Sequence, residues 1–98
     1  MSEFDYKQLD DVIHSRVRLA VMAVLVNVDE AQFTFIRDKI NATDGNLSAN
    51  LRKLEEAGYI SAAKTFRERR PVSHYRITEK GRRAFKKYLA QLERILRP

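Results

Sequence analysis

The chain has no cysteine among its 98 residues, which removes disulfides, thiol catalysis, cysteine-based redox sensing and thiolate metal sites together. It has no apolar run approaching the ~20 residues needed to span a bilayer, and its opening stretch, MSEFDYKQLDD, offers neither the basic start nor the apolar centre of a signal peptide. No membrane partner is expected, and a reducing, cytoplasmic location fits both absences. Internal repeats, low-complexity tracts and Gly/Ser linkers are missing as well. Residues 1–98 are therefore read as one domain with a modest core. No Ser/His/Asp constellation, Gly-rich phosphate loop or inward pair of carboxylates is present, so the chain is not expected to be an enzyme. His14 and His74 are far apart, without metal-ligand spacing, and no metal or other cofactor is assigned. His14, just ahead of a helix, reads as a structural contact.

Positive charge is present, and it is concentrated. The formal net charge is +6, and hydrophobic residues at 44% beside charged residues at 33% fit a folded chain. Between Lys64 and Lys87 stand ten Lys/Arg against two acids, Glu68 and Glu79, while the remainder of the chain is close to neutral. Such a block points to a polyanionic partner, with double-stranded DNA foremost. Asp10, Asp11, Asp29, Glu30, Glu55 and Glu56 read as ordinary surface charge.

The stretch TDGNLSANLRKLEEAGYI, 43–60, organises the rest. Leu47, Leu51 and Leu54 share one side of a helix over 44–57, leaving Gly45, Ala49, Arg52, Lys53 and Glu56 opposite and Asn46, Ser48 and Asn50 on the flanks. Thr43 or Asp44 can cap this helix and Gly58 can stop it. An outer face small at its start, then amide-rich and basic, suits a helix whose N-terminal half enters a major groove. A plain solvated face is the competing reading.

In chain order, an arm over 1–8 carries Phe4 and Tyr6, which could pack on a second subunit. Ser15 caps a helix from Arg16 to about Asn27, with Val17, Val21, Val24 and Val28 on one face and Leu19, Met22 and Val26 nearly opposite. A helix apolar on both sides must be covered on both sides, and a dimer is expected to contribute. Asp29 to Gln32 reads as a polar connection, and Thr34 as the cap of a short helix bearing Ile36 and Ile40, with Phe33 just before it. Asn41 can end that helix in the left-handed conformation, so Asn41-Ala42-Thr43 is the tight turn of a helix-turn-helix over 34–58.

After Gly58 the period falls to two. Ile60, Ala62 and Phe66 can share one face of a first strand, and Tyr75 with Ile77 do so in a second. Arg67-Glu68-Arg69-Arg70-Pro71 is the loop of a basic wing over 59–78. Thr78 caps a last helix over 79–97, whose Phe85, Tyr88, Leu89, Leu92, Ile95 and Leu96 form one stripe; its Lys80, Arg82, Arg83, Lys86 and Lys87 read mostly as a solvated face. The expected fold is mainly α with a two-stranded β-hairpin wing (α+β), a winged helix-turn-helix with a long C-terminal helix.

Four segments, IHSRVRL at 13–19, FTFIRDKI at 33–40, the 43–60 stretch and YRITEKGRRAF at 75–85, resemble the small MarR-like winged-helix transcriptional regulators, with kinship to ArsR-like proteins. The likeness runs from Leu9 onward, and its strongest sign is NLSANLRKLEEAGYI followed at this spacing by YRIT-x-x-G. It implies that the 44–57 helix reads DNA, that the wing meets backbone or minor groove, and that first and last helices form a two-fold dimer. The chain lacks the cysteines of metal-sensing ArsR-like proteins and is shorter than ligand-sensing MarR-like ones, so neither sensing mode is implied. Carried onto this sequence, the DNA-binding set is Thr43, Asn46, Ser48, Ala49, Asn50, Arg52 and Lys53 from the helix and Lys64, Arg67, Arg69, Arg70 and Arg76 from the wing. Asn46 and Asn50 are the choices for base contacts, Arg52 and Lys53 for phosphates, Arg69 or Arg70 for a narrow minor groove. Leu19, Met22, Val26, Tyr88, Leu92, Ile95 and Leu96 form the expected homodimer interface. The rival reading is a winged-helix protein- or RNA-interaction module without its own operator. Nothing in the sequence names a small-molecule effector.

Overall fold

Three side-chain hydroxyls start three of the four helices. Ser15 Oγ accepts a hydrogen bond from the Arg18 amide at 3.4 Å, Thr43 Oγ1 from Asn46 at 3.2 Å and Thr78 Oγ1 from Gly81 at 3.0 Å. Each satisfies an amide that the helix leaves unpaired and is worth ~1 kcal/mol. The structure, a computed structural model, describes residues 5–97. Its elements are α1 (Arg16–Leu25), β1 (Ala31–Gln32), α2 (Phe33–Ile40), α3 (Asp44–Glu56), β2 (Ile60–Arg67), β3 (Arg70–Ile77) and α4 (Glu79–Leu96). Phe4, half of the expected aromatic pair in the arm, lies outside the described residues; Tyr6 is exposed in a 3-10 turn, Tyr6–Gln8, capped by Asp5. The fold is a winged helix, mainly α with a β wing and a long C-terminal helix.

Several local expectations are corrected. Thr34 does not cap α2, because the helix already begins at Phe33, with Gln32 in the cap position and no side-chain cap bond. The Asp29–Gln32 connection contains a strand: Ala31 and Gln32 pair antiparallel with Tyr75 and His74, so the wing belongs to a three-stranded sheet of order β1-β3-β2. Two residues show no period; they become strand because the edge of β3 offers partners for their backbone and the core covers Ala31. α1 ends at Leu25, and the Asn27 and Val28 amides bond only three residues back, at 3.3 and 3.4 Å, a loosened final turn. Asp10 is no mere surface charge. One of its oxygens accepts from the Val12 and Ile13 amides at 2.8 and 3.1 Å, and the Tyr59 hydroxyl donates to the other. Burial, then this bond and the carboxylate's charge, push the Tyr59 hydroxyl up to about 12.

The core forms where α3 meets its neighbours. Leu47, Leu51 and Leu54 are buried as their spacing predicts, with Val21, Met22 and Leu25 of α1, Ile36 of α2, Ile60 and Ile77 of the sheet and Phe85 and Tyr88 of α4. At the N-terminal side, His14 Nδ1 and the Tyr88 hydroxyl are hydrogen-bonded at 2.8 Å, the structural contact expected of His14. Asn41 takes the left-handed conformation at φ 57° and closes α2, and Arg37 Nη1 reaches across the turn to Asp44 Oδ1 at 2.9 Å.

The end of α3, the root of the wing and the start of α4 meet at one junction. Gly58, at φ +79°, lets the Gly58 amide bond the Glu55 carbonyl and the Tyr59 amide the Leu54 carbonyl, which closes the helix. Thr78 then bridges both sides: its hydroxyl donates to the Gly58 carbonyl at 2.6 Å and its amide to the Tyr59 carbonyl at 3.0 Å. A Cβ at Gly81 would lie 2.1 Å from the Tyr59 carbonyl oxygen, so the first turn of α4 can sit there only without a side chain. The spacing of GYI and IT-x-x-G is the imprint of this contact. Gly81→Ala should destabilise the chain by about 3 kcal/mol or more and lower its melting temperature by about 12 °C or more, measured by thermal denaturation; a change under about 2 °C would mean that the contact is not as drawn.

Candidate nucleic-acid interface

The outer side of α3 is open. Thr43, Asp44, Gly45, Asn46, Ser48, Ala49, Arg52 and Lys53 are all exposed, and no ion pair engages Arg52 or Lys53 among the described residues. Nothing lies within 4 Å of a Cβ built on Gly45, so the fold does not require glycine there. Its absence of side chain keeps the first turn of the face flat.

Asn50 stands apart from this set. It is half-buried, its Oδ1 accepts from Arg18 Nη1 at 2.7 Å, and its amide nitrogen donates to the Asn46 carbonyl and side-chain oxygens, both at 2.8 Å. Arg18 also donates to the carbonyls of Val12 and Asp11. Asn50 thus acts as a strut that ties α3 to α1 and to the segment ahead of it, while Asn46 keeps its amide nitrogen for an outside acceptor. Arg18 was absent from the expected set; the sign of its role was a cation that interrupts the apolar run of α1 after Val17, at a position facing the i, i+4 pair Asn46 and Asn50.

The wing leaves the core almost at once. Ile60, Ala62 and Phe66 share one face of β2 as their spacing predicts, but only Ile60 is buried and every residue from Ser61 to Arg67 is exposed, because the core ends beneath the root of the strand. The register pairs Arg67 with Arg70, which shortens the expected five-residue loop to a two-residue turn, Glu68-Arg69. Both take left-handed conformations, at φ 51° and 68°, the backbone of a turn usually given to Asn-Gly. A non-glycine residue there costs roughly 1 kcal/mol, and the turn sets Arg69 at the apex. Lys64, Arg67, Arg69 and Arg70 have no carboxylate partner among the described residues. Arg76 does: its Nη2 lies 3.5 Å from Glu30 Oε2, beside His74, whose Nδ1 is 3.9 Å from the other oxygen of Glu30 and whose Nε2 is 2.9 Å from Thr65 Oγ1.

The apolar set expected at a dimer surface divides in two. Met22 at 0% and Tyr88 at 2% exposure are sealed inside the single chain and leave the set. Leu19, Val26 and Leu92 are half-buried against the core, while Leu89, Ile95 and Leu96 stand exposed at 45%, 42% and 73% along the later turns of α4. Among the described residues no helix is long and apolar enough to cross a membrane.

An exposed helix following a tight turn, beside a cationic hairpin, defines a winged helix-turn-helix protein. The chain belongs to the winged helix DNA-binding domain family, which matches residues 17–96. It is 37% identical over 81 residues to an uncharacterized protein of Methanocaldococcus jannaschii, covering 83% of this chain and 88% of that one. A transcriptional regulator homologue of Pyrococcus horikoshii superposes with a TM-score of 0.81 at 29% identity, over 87% of this chain and 84% of that one. The fold extends to ZitR of Lactococcus lactis, a zinc-responsive MarR family member, with a TM-score of 0.61 at 22% identity over 84% of this chain and 55% of that one.

The strut has a measurable consequence. Asn50→Ala should lower stability by about 1 kcal/mol, because Arg18 loses its acceptor, whereas Ser48→Ala on the open side should stay within about 0.5 kcal/mol. Equal, negligible effects in chemical denaturation would remove Asn50 from the scaffold and return it to the open face.

Proposed function

We propose that this chain is a sequence-specific DNA-binding transcriptional regulator that acts as a homodimer. α3 enters the major groove through Asn46, Ser48 and Ala49, and Arg52 and Lys53 meet flanking phosphates. Lys64, Arg67, Arg69 and Arg70 take the wing to the backbone or into the minor groove. Thr43 stands at the edge of this contact; Arg76 and Asn50 contribute from behind, through Glu30 and Arg18. Two copies joined through the exposed turns of α4, Leu89, Leu92, Ile95 and Leu96, with Leu19 and Val26 adjoining, would present two reading helices about one DNA turn, ~34 Å, apart to an inverted repeat. Nothing among the described residues groups three or more His, Asp or Glu side chains as a metal would need, and no step of this reading uses one.

The observation that carries the reading is the set of four wing cations without internal partners, on a hairpin whose turn accepts strain to extend them. Binding of the whole protein to duplex DNA, measured at several salt concentrations, tests it. Log affinity should fall with log salt by about 0.9 per phosphate neutralised. Arg69→Ala with Arg70→Ala should flatten that slope by about 2 and weaken binding to every sequence alike, whereas Asn46→Ala should relax preference at one base step. Sedimentation should find two chains per complex. A flat salt response, or a slope unchanged without the two arginines, would overturn the reading.

A further inference from the structure

The wing carries one large apolar side chain that the fold does not use. Phe66 is 74% exposed and pairs across the ladder with Pro71. The Arg67–Arg70 pair closes the turn, so the next pair, Phe66–Pro71, is of the type that exchanges no hydrogen bonds, as proline's missing amide hydrogen requires, and it brings its two side chains closest. Alternation along the strands puts Phe66 and Pro71 on one face of the ribbon and Arg67 and Arg70 on the other, with Arg69 at the apex and Lys64 next along the Phe66 face. That face buries Ile60 and Ile77 at its root, and Tyr75 upon it packs against the core. The ring therefore stands on the face of the wing that continues outward from the core.

Whatever covers this ring must also come up against Lys64 on the same face and Arg69 at the apex, with Arg67 and Arg70 behind them, and the ribbon from Ile60 to Thr78 carries a single acid, Glu68. That charge selects a polyanion, and an aromatic ring backed by a rigid proline suits an apolar surface that a duplex offers to a wedge, the faces of its bases. We propose that Phe66, braced by Pro71, is a wedge that enters the minor groove beside the wing arginines and presses into a base-pair step. The inference rests on the DNA-binding reading above and deepens it. Cations hold the ribbon in the groove, and the ring partly unstacks a step, so the wing discriminates by how easily the DNA deforms. Pyrimidine–purine steps, TA above all, open most readily and become the favoured flanks.

The test uses the whole protein and duplexes of about 30 base pairs, AT-rich, with 2-aminopurine placed in successive TA steps. The wild-type chain should raise the fluorescence of the probe at one step per wing. Phe66→Ala should abolish that rise and weaken binding to TA-containing duplexes about ten-fold, while the salt slope, set by the arginines, stays unchanged. Phe66→Lys separates a wedge from a merely charged surface: an added cation strengthens binding if the position only faces phosphates, and weakens it on TA-containing duplexes if the ring is needed. Because residue 66 is exposed, both variants should fold, and circular dichroism verifies it. A wild-type complex without fluorescence change, or a Phe66→Ala protein that binds like wild type, overturns the wedge alone. A change in subunit number with DNA affinity intact would assign the ring to a protein contact and also overturn it. If the wild-type protein binds no duplex at all, the DNA-binding reading falls first, and the titration shows this before any fluorescence is compared.

Discussion

The Tyr59 carbonyl sits at the centre of the molecule's mechanics. It accepts the Thr78 amide, and the first turn of α4 presses on it so closely that position 81 has no room for a Cβ. Three residues earlier α3 ends, one residue later β2 begins, and the Thr78 hydroxyl, bonded to the Gly58 carbonyl, stands at the cap of α4. α3, the wing and α4 therefore share one anchor of a few hydrogen bonds and two glycines. Interiors packed at crystal-like density transmit displacement instead of absorbing it, so the angle between helix and wing is fixed at their common root.

Beyond that root the two elements differ in kind. α3 is backed along its length by buried leucines and braced by Arg18 through Asn50, and so presents a rigid face. The wing has no buried side chain on β2 after Ile60 and only Tyr75 of β3 packed on the core beyond that level, and it keeps its shape by ladder pairing and by a turn whose two residues sit in the left-handed region. Strain of this kind persists where the surroundings impose it and concentrates at functional sites. An Asn-Gly turn would be easier to form and would remove the apex arginine. The chain keeps Arg69 there instead, among cations whose mutual repulsion a polyanion relieves.

Much of this was legible in the sequence, for reasons that separate what was read from what was not. Leu47, Leu51 and Leu54 announced α3 because burial on one side enforces a helical period, and Thr43, Gly58 and Thr78 marked its ends and the start of α4 through backbone chemistry that only a few residue types satisfy. β1 was invisible, since two residues have no period and Ala31 becomes strand only because β3 lies beside it. Thr34 looked like a cap and is not one, because a hydroxyl near a helix start carries no mark of whether the helix has already begun. Asn50 looked free because its partner, Arg18, is distant in sequence and meets it only in the fold. Met22 was given to a second subunit because α1 is apolar all round, and Tyr88 because the resemblance implies a dimer of first and last helices; the single chain buries both. Phe66 shares its strand face with Ile60 as its spacing indicates, but a period of two carries no mark of where the core beneath a strand ends.

If α3 and the wing grip DNA, their common root makes them do so as one unit. Amide hydrogen exchange of the whole protein, with and without duplex DNA, measures this directly. Slowed exchange should appear together in the first turns of α3, residues 44–53, and in the wing, residues 64–70, at the same DNA concentration. Protection of one without the other, or protection confined to α4, would contradict it.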